Sequence, residues 1–345
     1  MGEGRGTRRR ATVVLTALAA ANLAVWGWAA VAFHEHGTLL GTALLAYCLG
    51  LRHAVDADHI AAIDNVTRKL MQQGKRPVGV GLMFSLGHST VVVAGSMAMA
   101  GAALGLEHRL ETVRAIGAVI GTAVSSGFLF VIGIVNLMVL RSVYRAFVRV
   151  RRGGEYVEED MDLLLGDRGL LTRIFRPVFR MIGKSWHMYP LGLLFGLGFD
   201  TATEVGLLGI AAAEASKGLP MAAILVFPAL FAAGMSLIDT ADNLLMLGAY
   251  GWAGVKPVRK LYYNLTITAM SAGAAITVGA IEALGLVAER MRDRGAFWDG
   301  VYALNANFAL IGYAIVTMFA LSWAVSIAIY KWRRFDLAEP ERPKS

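Results

Sequence analysis

The chain has 345 residues, of which 56% are hydrophobic and only 17% are charged. Soluble domains carry about 25% charged residues, so the composition excludes an ordinary soluble protein and predicts a membrane protein. The formal net charge is +8, but the basic residues lie almost entirely in the tails and loops, a distribution that sets membrane topology and predicts no nucleic-acid partner.

Eight apolar stretches are each long enough to cross a bilayer, which requires about 20 predominantly apolar residues. They lie at about 11–33, 39–66, 78–105, 115–140, 188–214, 220–250, 264–288 and 301–331. The first stretch is longer than the apolar region of a signal peptide, which has about 7–15 residues, so it is predicted to be an uncleaved span. The sequence therefore predicts an all-α polytopic protein with a single transmembrane domain over residues 1–345.

Positive charge is concentrated in alternate loops. The basic loops are at about 67–77, 141–187 and 251–263, whereas the intervening loops at 34–38, 106–114 and 215–219 carry little positive charge. This asymmetry predicts that both termini are cytoplasmic. The longest loop, at about 141–187, divides the spans into four plus four, which is compatible with two parallel repeats.

The second span contains a dense group of polar residues. Each ionisable side chain costs about 2.5–3.5 kcal/mol at the centre of a membrane helix on insertion scales, so the group requires a reason. On a continuous helix, His53, Asp56 and His59 share one slowly drifting stripe, whereas Asp58 points away from it. Asp58 is therefore predicted to orient another group, or to reach the site because the span is unwound.

Other spans add polar groups at a similar predicted depth, near the bilayer midplane. They are His88 on the third span, Asp200 and Glu204 on the fifth, and Asp239, Asp242 and Asn243 on the sixth. Excluding histidine, the spans hold eight acids, including Asp64 and Glu282, against one base, Arg52. Internal ion pairing cannot neutralise this excess, so the interior is predicted to hold protons or a cation.

Packing explanations remain open for several of these residues. His88 is compatible with a hydrogen bond between helices, and Asp239 and Asp242 with contacts that hold helices together. Glu282 is expected to be a packing residue, and His34 and His36 are expected to belong to a solvated outer loop. The cluster on the second span is the group for which a purely structural explanation is weakest.

Four segments resemble the nickel/cobalt permease (NiCoT) family of eight-span transporters. The segment at 52–60 reads Arg-His-Ala-Val-Asp-Ala-Asp-His-Ile, and family-like segments follow at 84–92, 197–204 and 234–243. The resemblance implies uptake of Ni²⁺ or Co²⁺ across the inner membrane of a bacterium. It also implies that His53, Asp58 and His59 are indispensable.

A midplane metal site is therefore predicted, with imidazole and carboxylate as ligands suited to a divalent transition metal. Its candidate residues are His53, Asp56, Asp58, His59, His88, Asp200, Glu204, Asp239 and Asn243. Cys48, the single cysteine, excludes a thiolate cage. The metal is expected to be the transported substrate, with no separate cofactor.

The expected mechanism is alternating access without ATP, because the sequence contains no Gly-x4-Gly-Lys-Ser/Thr phosphate loop, and no ATPase subunit is implied. The alternatives are a carrier for Mn²⁺, Mg²⁺ or Zn²⁺, a proton-coupled cation carrier, and an intramembrane metalloenzyme. A zinc protease would need His-Glu-x-x-His, which the sequence lacks. The preference between nickel and cobalt, proton coupling, and the oligomeric state are left open.

Overall fold

The computed structural model describes residues 2–102, 107–151, 182–198, 201–253, 257–291 and 295–332, and these form helices and turns without a β-strand. The prediction of an all-α protein is confirmed. The helices are α1 (Gly2–Ala32), α2 (Gly37–His53), α3 (Ala57–Gln72), α4 (Val80–Ala102), α5 (Glu107–Arg151), α6 (Met188–Gly196), α7 (Ala202–Ser216), α8 (Met221–Ile224), α9 (Val226–Ala253), α10 (Pro257–Met291), α11 (Ala296–Ala306) and α12 (Phe308–Trp332). A 3₁₀ turn at Ser185–His187 precedes α6.

Five segments of the described chain are straight enough, long enough and apolar enough to span a membrane. They are Gly6–Ala32, Val80–Gly101, Ile116–Arg141, Met221–Ala249 and Leu265–Glu289. Two further spans are bent pairs, α2 with α3 at 52° and α11 with α12 at 71°. The protein is therefore a multi-pass membrane protein. The stretch at 188–214 consists of two shorter helices, α6 and α7, so the count of eight spans remains a prediction. The single domain and the location of the termini also remain predictions.

The span predicted at 39–66 is not one continuous helix, and the break that the sequence left open lies between α2 and α3. Helix α2 ends at His53, and the backbone N–H groups of Val55 and Asp56 bond three residues back, to Arg52 and His53. Asp56 is extended (φ −64°, ψ 147°), so it ends the turn and starts α3 in a new direction. The stripe inferred for a continuous helix therefore does not describe this segment.

Another helix supports this break. Gly312 of α12 lies against Val55, and a Cβ atom at Gly312 would overlap the Val55 carbonyl oxygen. The absence of a side chain allows the last span to contact the exposed backbone of the turn directly. The bend is thus held between elements that are far apart in sequence.

The fifth predicted span is also interrupted next to a candidate site residue. Helix α6 ends at Gly196, and α7 begins after Thr201, whose hydroxyl accepts a hydrogen bond from the backbone N–H of Glu204. This is the usual way in which a threonine satisfies a free N–H at a helix start. The cap places Glu204 in the first turn of α7, at an interruption rather than in mid-helix.

Segments predicted to lie on one side of the membrane are neighbours in the structure. The Lys75 ammonium, in the connection between α3 and α4, donates to the carbonyl of Gly183 at 2.6 Å, just before α6. The middle of the predicted loop at 141–187, residues 152–181, lies outside the described residues, whereas its beginning continues α5 to Arg151. The contact between Lys75 and Gly183 agrees with the prediction that the basic loops lie on the same side of the membrane. That this side is the cytoplasmic one remains a prediction.

Candidate metal site

Three histidines from three helices meet inside the protein. His53 ends α2, His59 lies in the first turn of α3, and His88 lies in the middle of α4. Each is at most 2% exposed, and one ring nitrogen from each lies within 4.8 Å of those of the other two. The bend between α2 and α3 permits this arrangement because it changes the direction of the chain between His53 and His59.

Glu204 completes a compact group of possible ligand atoms. The Nε2 atoms of His53 and His88 are 3.0 Å apart, and Glu204 Oε1 lies 2.9 Å from His88 Nε2 and 3.8 Å from His53 Nε2. The circle through three atoms with these separations has a radius of about 1.9 Å, slightly less than a metal–nitrogen bond of about 2.0–2.1 Å. A single ion can therefore contact all three atoms without a large movement of the helices.

The His59 ring has one occupied and one available nitrogen. Its Nδ1 atom lies 3.3 Å from both carboxylate oxygens of Asp239, whereas its buried Nε2 atom has no hydrogen-bond partner among the described residues. Metal-binding histidines usually donate their second N–H to a carboxylate or carbonyl, which fixes the ring orientation and leaves the other nitrogen to the metal. His59 and Asp239 have this arrangement.

The His53 ring is held in the same manner. Its Nδ1 atom lies 2.9 Å from Asp56 Oδ2 and 3.1 Å from the Thr203 hydroxyl. With the proton on Nδ1, the ring donates to the carboxylate and presents the lone pair of Nε2 to His88 and Glu204. Asp56 and Thr203 thus orient a candidate ligand, and the extended backbone at Asp56 brings its carboxylate back to the ring.

Thr201 contacts both His53 and Glu204. Its hydroxyl lies 3.0 Å from Glu204 Oε2 and 3.4 Å from His53 Nδ1, in addition to capping α7. Sequence analysis did not select Thr201, because its role depends on the interruption between α6 and α7. The only available signal was its position beside Thr203 and Glu204 in the segment that carries a family resemblance.

Close helix contacts fix the third histidine. Gly87 of α4 lies against the carbonyl of Tyr189, and Gly192 of α6 lies against the carbonyl of Phe84, so that α4 and α6 pack backbone to backbone in the turn before His88. Small residues permit this approach in membrane helices. The aromatic ring of Phe84 contacts the edge of His59, and that of Phe231 lies beside His53, which keeps the histidine rings in an apolar surrounding.

Three predicted site residues remain, Asp58, Asn243 and Asp200. Asp58 is half-buried in the first turn of α3. Asn243 lies one turn beyond Asp239, and its amide nitrogen donates to the Thr67 hydroxyl at 2.8 Å and the Pro77 carbonyl at 3.2 Å. Its buried amide oxygen has no hydrogen-bond partner among the described residues. Asp200 lies outside the described residues.

Two other buried acids have packing partners. Asp64 accepts a hydrogen bond from the Ser271 hydroxyl at 2.6 Å, and Glu282 accepts one from the Ser125 hydroxyl at 2.9 Å. Both bonds connect neighbouring helices, α3 with α10 and α5 with α10. The packing interpretation of Glu282 agrees with this contact. His34, by contrast, has an exposed side chain in the loop after α1.

Comparison with known proteins gives a consistent result over almost the whole chain. Residues 39–329 match the model of a family described as "High-affinity nickel-transport protein" (NicO). A high-affinity nickel transport protein of Cupriavidus necator is 61% identical over 334 residues, which cover 96% of this chain and 95% of the relative. The nickel transporter NicT of Mycobacterium tuberculosis is 49% identical over 86% of this chain and 80% of its own length. The cobalt transport protein NhlF of Rhodococcus rhodochrous is 43% identical over 89% and 85%, respectively. No solved structure matches the chain.

Proposed function

The chain belongs to the NicO family of high-affinity nickel-transport proteins, and from this membership we propose that it takes up Ni²⁺ or Co²⁺ across the inner membrane of a bacterium. As a member of a family of transport proteins, it is not an enzyme. The metal ion is the substrate that moves through the protein.

The observation that supports this proposal best is the convergence of His53, His59, His88 and Glu204. Imidazole nitrogen suits nickel, cobalt and zinc, whereas magnesium and calcium prefer sites built from oxygen alone. A hard ion would leave three buried imidazoles without a role. The ligand chemistry therefore favours a transition metal over Mg²⁺, and the relatives named for nickel and cobalt narrow the choice further.

The proposed site includes both ligands and residues that orient them. We assign the metal-facing positions to His53, His59, His88 and Glu204, and the orienting positions to Asp56 and Asp239, which contact the opposite ring nitrogens. Asp58, in the first turn of α3, and Asp200, which lies outside the described residues, remain predicted members of the site. The site is buried in this structure, so an ion held there is separated from solvent.

The proposed cycle is alternating access around this buried site. Two of the ligand-bearing segments end at interruptions, namely the turn between α2 and α3 and the cap of α7, where a change in bend angle alters ligand positions with little loss of backbone hydrogen bonds. The membrane potential supplies about 2.3 kcal/mol per charge per 100 mV, or about 4.6 kcal/mol for a divalent ion. This is sufficient for accumulation without ATP.

The test is uptake of radioactive nickel into proteoliposomes that contain only this chain, with an imposed potential. We expect the accumulation of the ion to increase as the interior becomes more negative, and excess cobalt to compete more strongly than excess magnesium. Uptake that requires ATP, or competition by magnesium equal to that by cobalt, would contradict the proposal. Empty liposomes serve as the control.

Asp239→Asn tests the orienting role of that carboxylate. The asparagine keeps the shape of the side chain but removes the charge that faces His59 Nδ1, and loss of such a partner typically weakens metal affinity by about 10–100-fold. We therefore expect the nickel concentration at half-maximal uptake to increase by about that factor, with the maximal rate less affected. Asp299→Asn, at an exposed position of α11, is the control and should leave both parameters unchanged.

A further inference from the structure

A wide cavity opens at the N-terminal end of α1, remote from the histidines. It has a volume of about 530 Å³ and lies between the first turns of α1, the connection between α3 and α4, and the segment before α6. Three arginines line it, Arg9 and Arg10 from α1 and Arg76 from the connection. Three valines, Val13, Val14 and Val78, line its apolar part.

The cavity concentrates positive charge without a matching acid. All three arginine side chains are exposed, and none forms an ion pair with a carboxylate of the described residues. Within the described part of the chain, Arg10 donates to one backbone carbonyl, that of Gly6, at 3.4 Å. Guanidinium groups bind phosphate with paired, charge-assisted hydrogen bonds, so three of them around one cavity form a suitable environment for a phosphate anion.

Helix α1, whose first turns line the cavity, exposes apolar side chains along its length. Val13 is 61% exposed, and Leu23 and Val31 further along α1 are each 75% exposed. In a membrane-spanning helix these surfaces face hydrocarbon. The cavity therefore presents positive charge at the end of α1 and apolar surface immediately next to it. These two surfaces match the charged headgroup and the apolar acyl chains of a phospholipid.

We propose that this cavity binds an anionic phospholipid. Its phosphate lies among Arg9, Arg10 and Arg76, and its acyl chains follow α1 from Val13 and Val14. Basic pockets between transmembrane helices are recognised sites for acidic headgroups. The bound lipid connects α1 to the connection between α3 and α4. This inference does not depend on the identity of the transported ion.

The experiment uses the full chain in detergent, titrated with phosphatidylglycerol or phosphatidylcholine and followed by native mass spectrometry and thermal unfolding. We expect phosphatidylglycerol to bind more tightly and to raise the unfolding temperature, because a ligand of the native state stabilises it. Each of Arg9→Gln, Arg10→Gln and Arg76→Gln should weaken phosphatidylglycerol binding by about fivefold, and the triple variant by about a hundredfold.

The matched control is a triple variant with the same change in charge outside the cavity, Arg8→Gln with Arg141→Gln and Arg145→Gln, all exposed positions. Retained binding in this control, with loss in the cavity variants, supports the site. Equal loss in both triple variants, or equal binding of the two lipids, overturns it. Inorganic phosphate is the third probe, and stabilisation by phosphate equal to that by phosphatidylglycerol also overturns a lipid site. If the triple variant fails to fold, the three single variants decide the result.

Discussion

Replacement of His53, His59 or His88 by alanine is expected to reduce nickel uptake to background. Each ring contributes a buried nitrogen to one small volume, and the Nε2 atoms of His53 and His88 are only 3.0 Å apart. Loss of a partner that merely orients a ligand costs about 10–100-fold in metal affinity, so loss of a ligand itself should cost more than about a hundredfold. Uptake of radioactive nickel over a range of concentrations measures the effect.

His34→Ala is the matched control, because it removes an imidazole whose side chain is 70% exposed in the loop after α1. The abundance of each variant in the membrane must be compared with that of the wild type. A second measurement separates ligation from folding: nickel should raise the unfolding temperature of the wild type and of His34→Ala, and of none of the three buried variants. Normal uptake by His53→Ala or His59→Ala would refute the proposed site.

The second large effect is expected for Glu204→Gln. This change preserves the size of the side chain but removes the negative charge that lies 2.9 Å from His88 Nε2. In the loaded site the partner of this charge is the divalent ion. Removing one partner of a buried charge pair costs about 3–5 kcal/mol, which corresponds to a loss of about a hundred- to several-thousand-fold in affinity. Nickel binding to the purified protein by calorimetry, together with uptake, measures this loss.

Glu214→Gln offers a control on the same helix. Glu214 is also buried, but it pairs with Lys217 at 2.8 Å near the opposite end of α7, away from the histidines. We expect the nickel affinity of Glu214→Gln to remain within a factor of two or three of the wild type, because this carboxylate contacts none of the three histidines among the described residues. If Glu204→Gln bound nickel like the wild type, the carboxylate would have no electrostatic role in the site.

The sequence was sufficient to predict the class of the protein and most residues of the cluster. Length and hydropathy indicated a polytopic helical protein, and the excess of buried acids around His53, His59 and His88 indicated a cation site. These features are local or compositional, so they can be recognised in the sequence without knowing how the helices pack. Glu204 and Asp239 could be selected as well, because a charge in the middle of an apolar stretch is conspicuous wherever its helix lies.

Which candidate residues face the proposed metal and which orient other side chains could not be predicted, because this depends on where helices are interrupted. A periodicity argument assumes an unbroken helix, and the extended backbone at Asp56 violates that assumption between His53 and His59. The function of Thr201 as a cap follows from a second interruption. Asn243 was grouped with Asp239 because four residues separate them, yet its partners, Thr67 and Pro77, come from segments whose proximity only the tertiary structure reveals.

Gly312 brings α12 into direct contact with the turn between His53 and His59. Because Gly312 has no side chain, the backbone of α12 contacts the Val55 carbonyl directly. There is no space for the helix and the turn to move closer together. A change of bend angle between α2 and α3 must therefore displace α12, or slide along it. Helix α12 is thus coupled to the spacing of His53 and His59, more than two hundred residues before Gly312 in the chain.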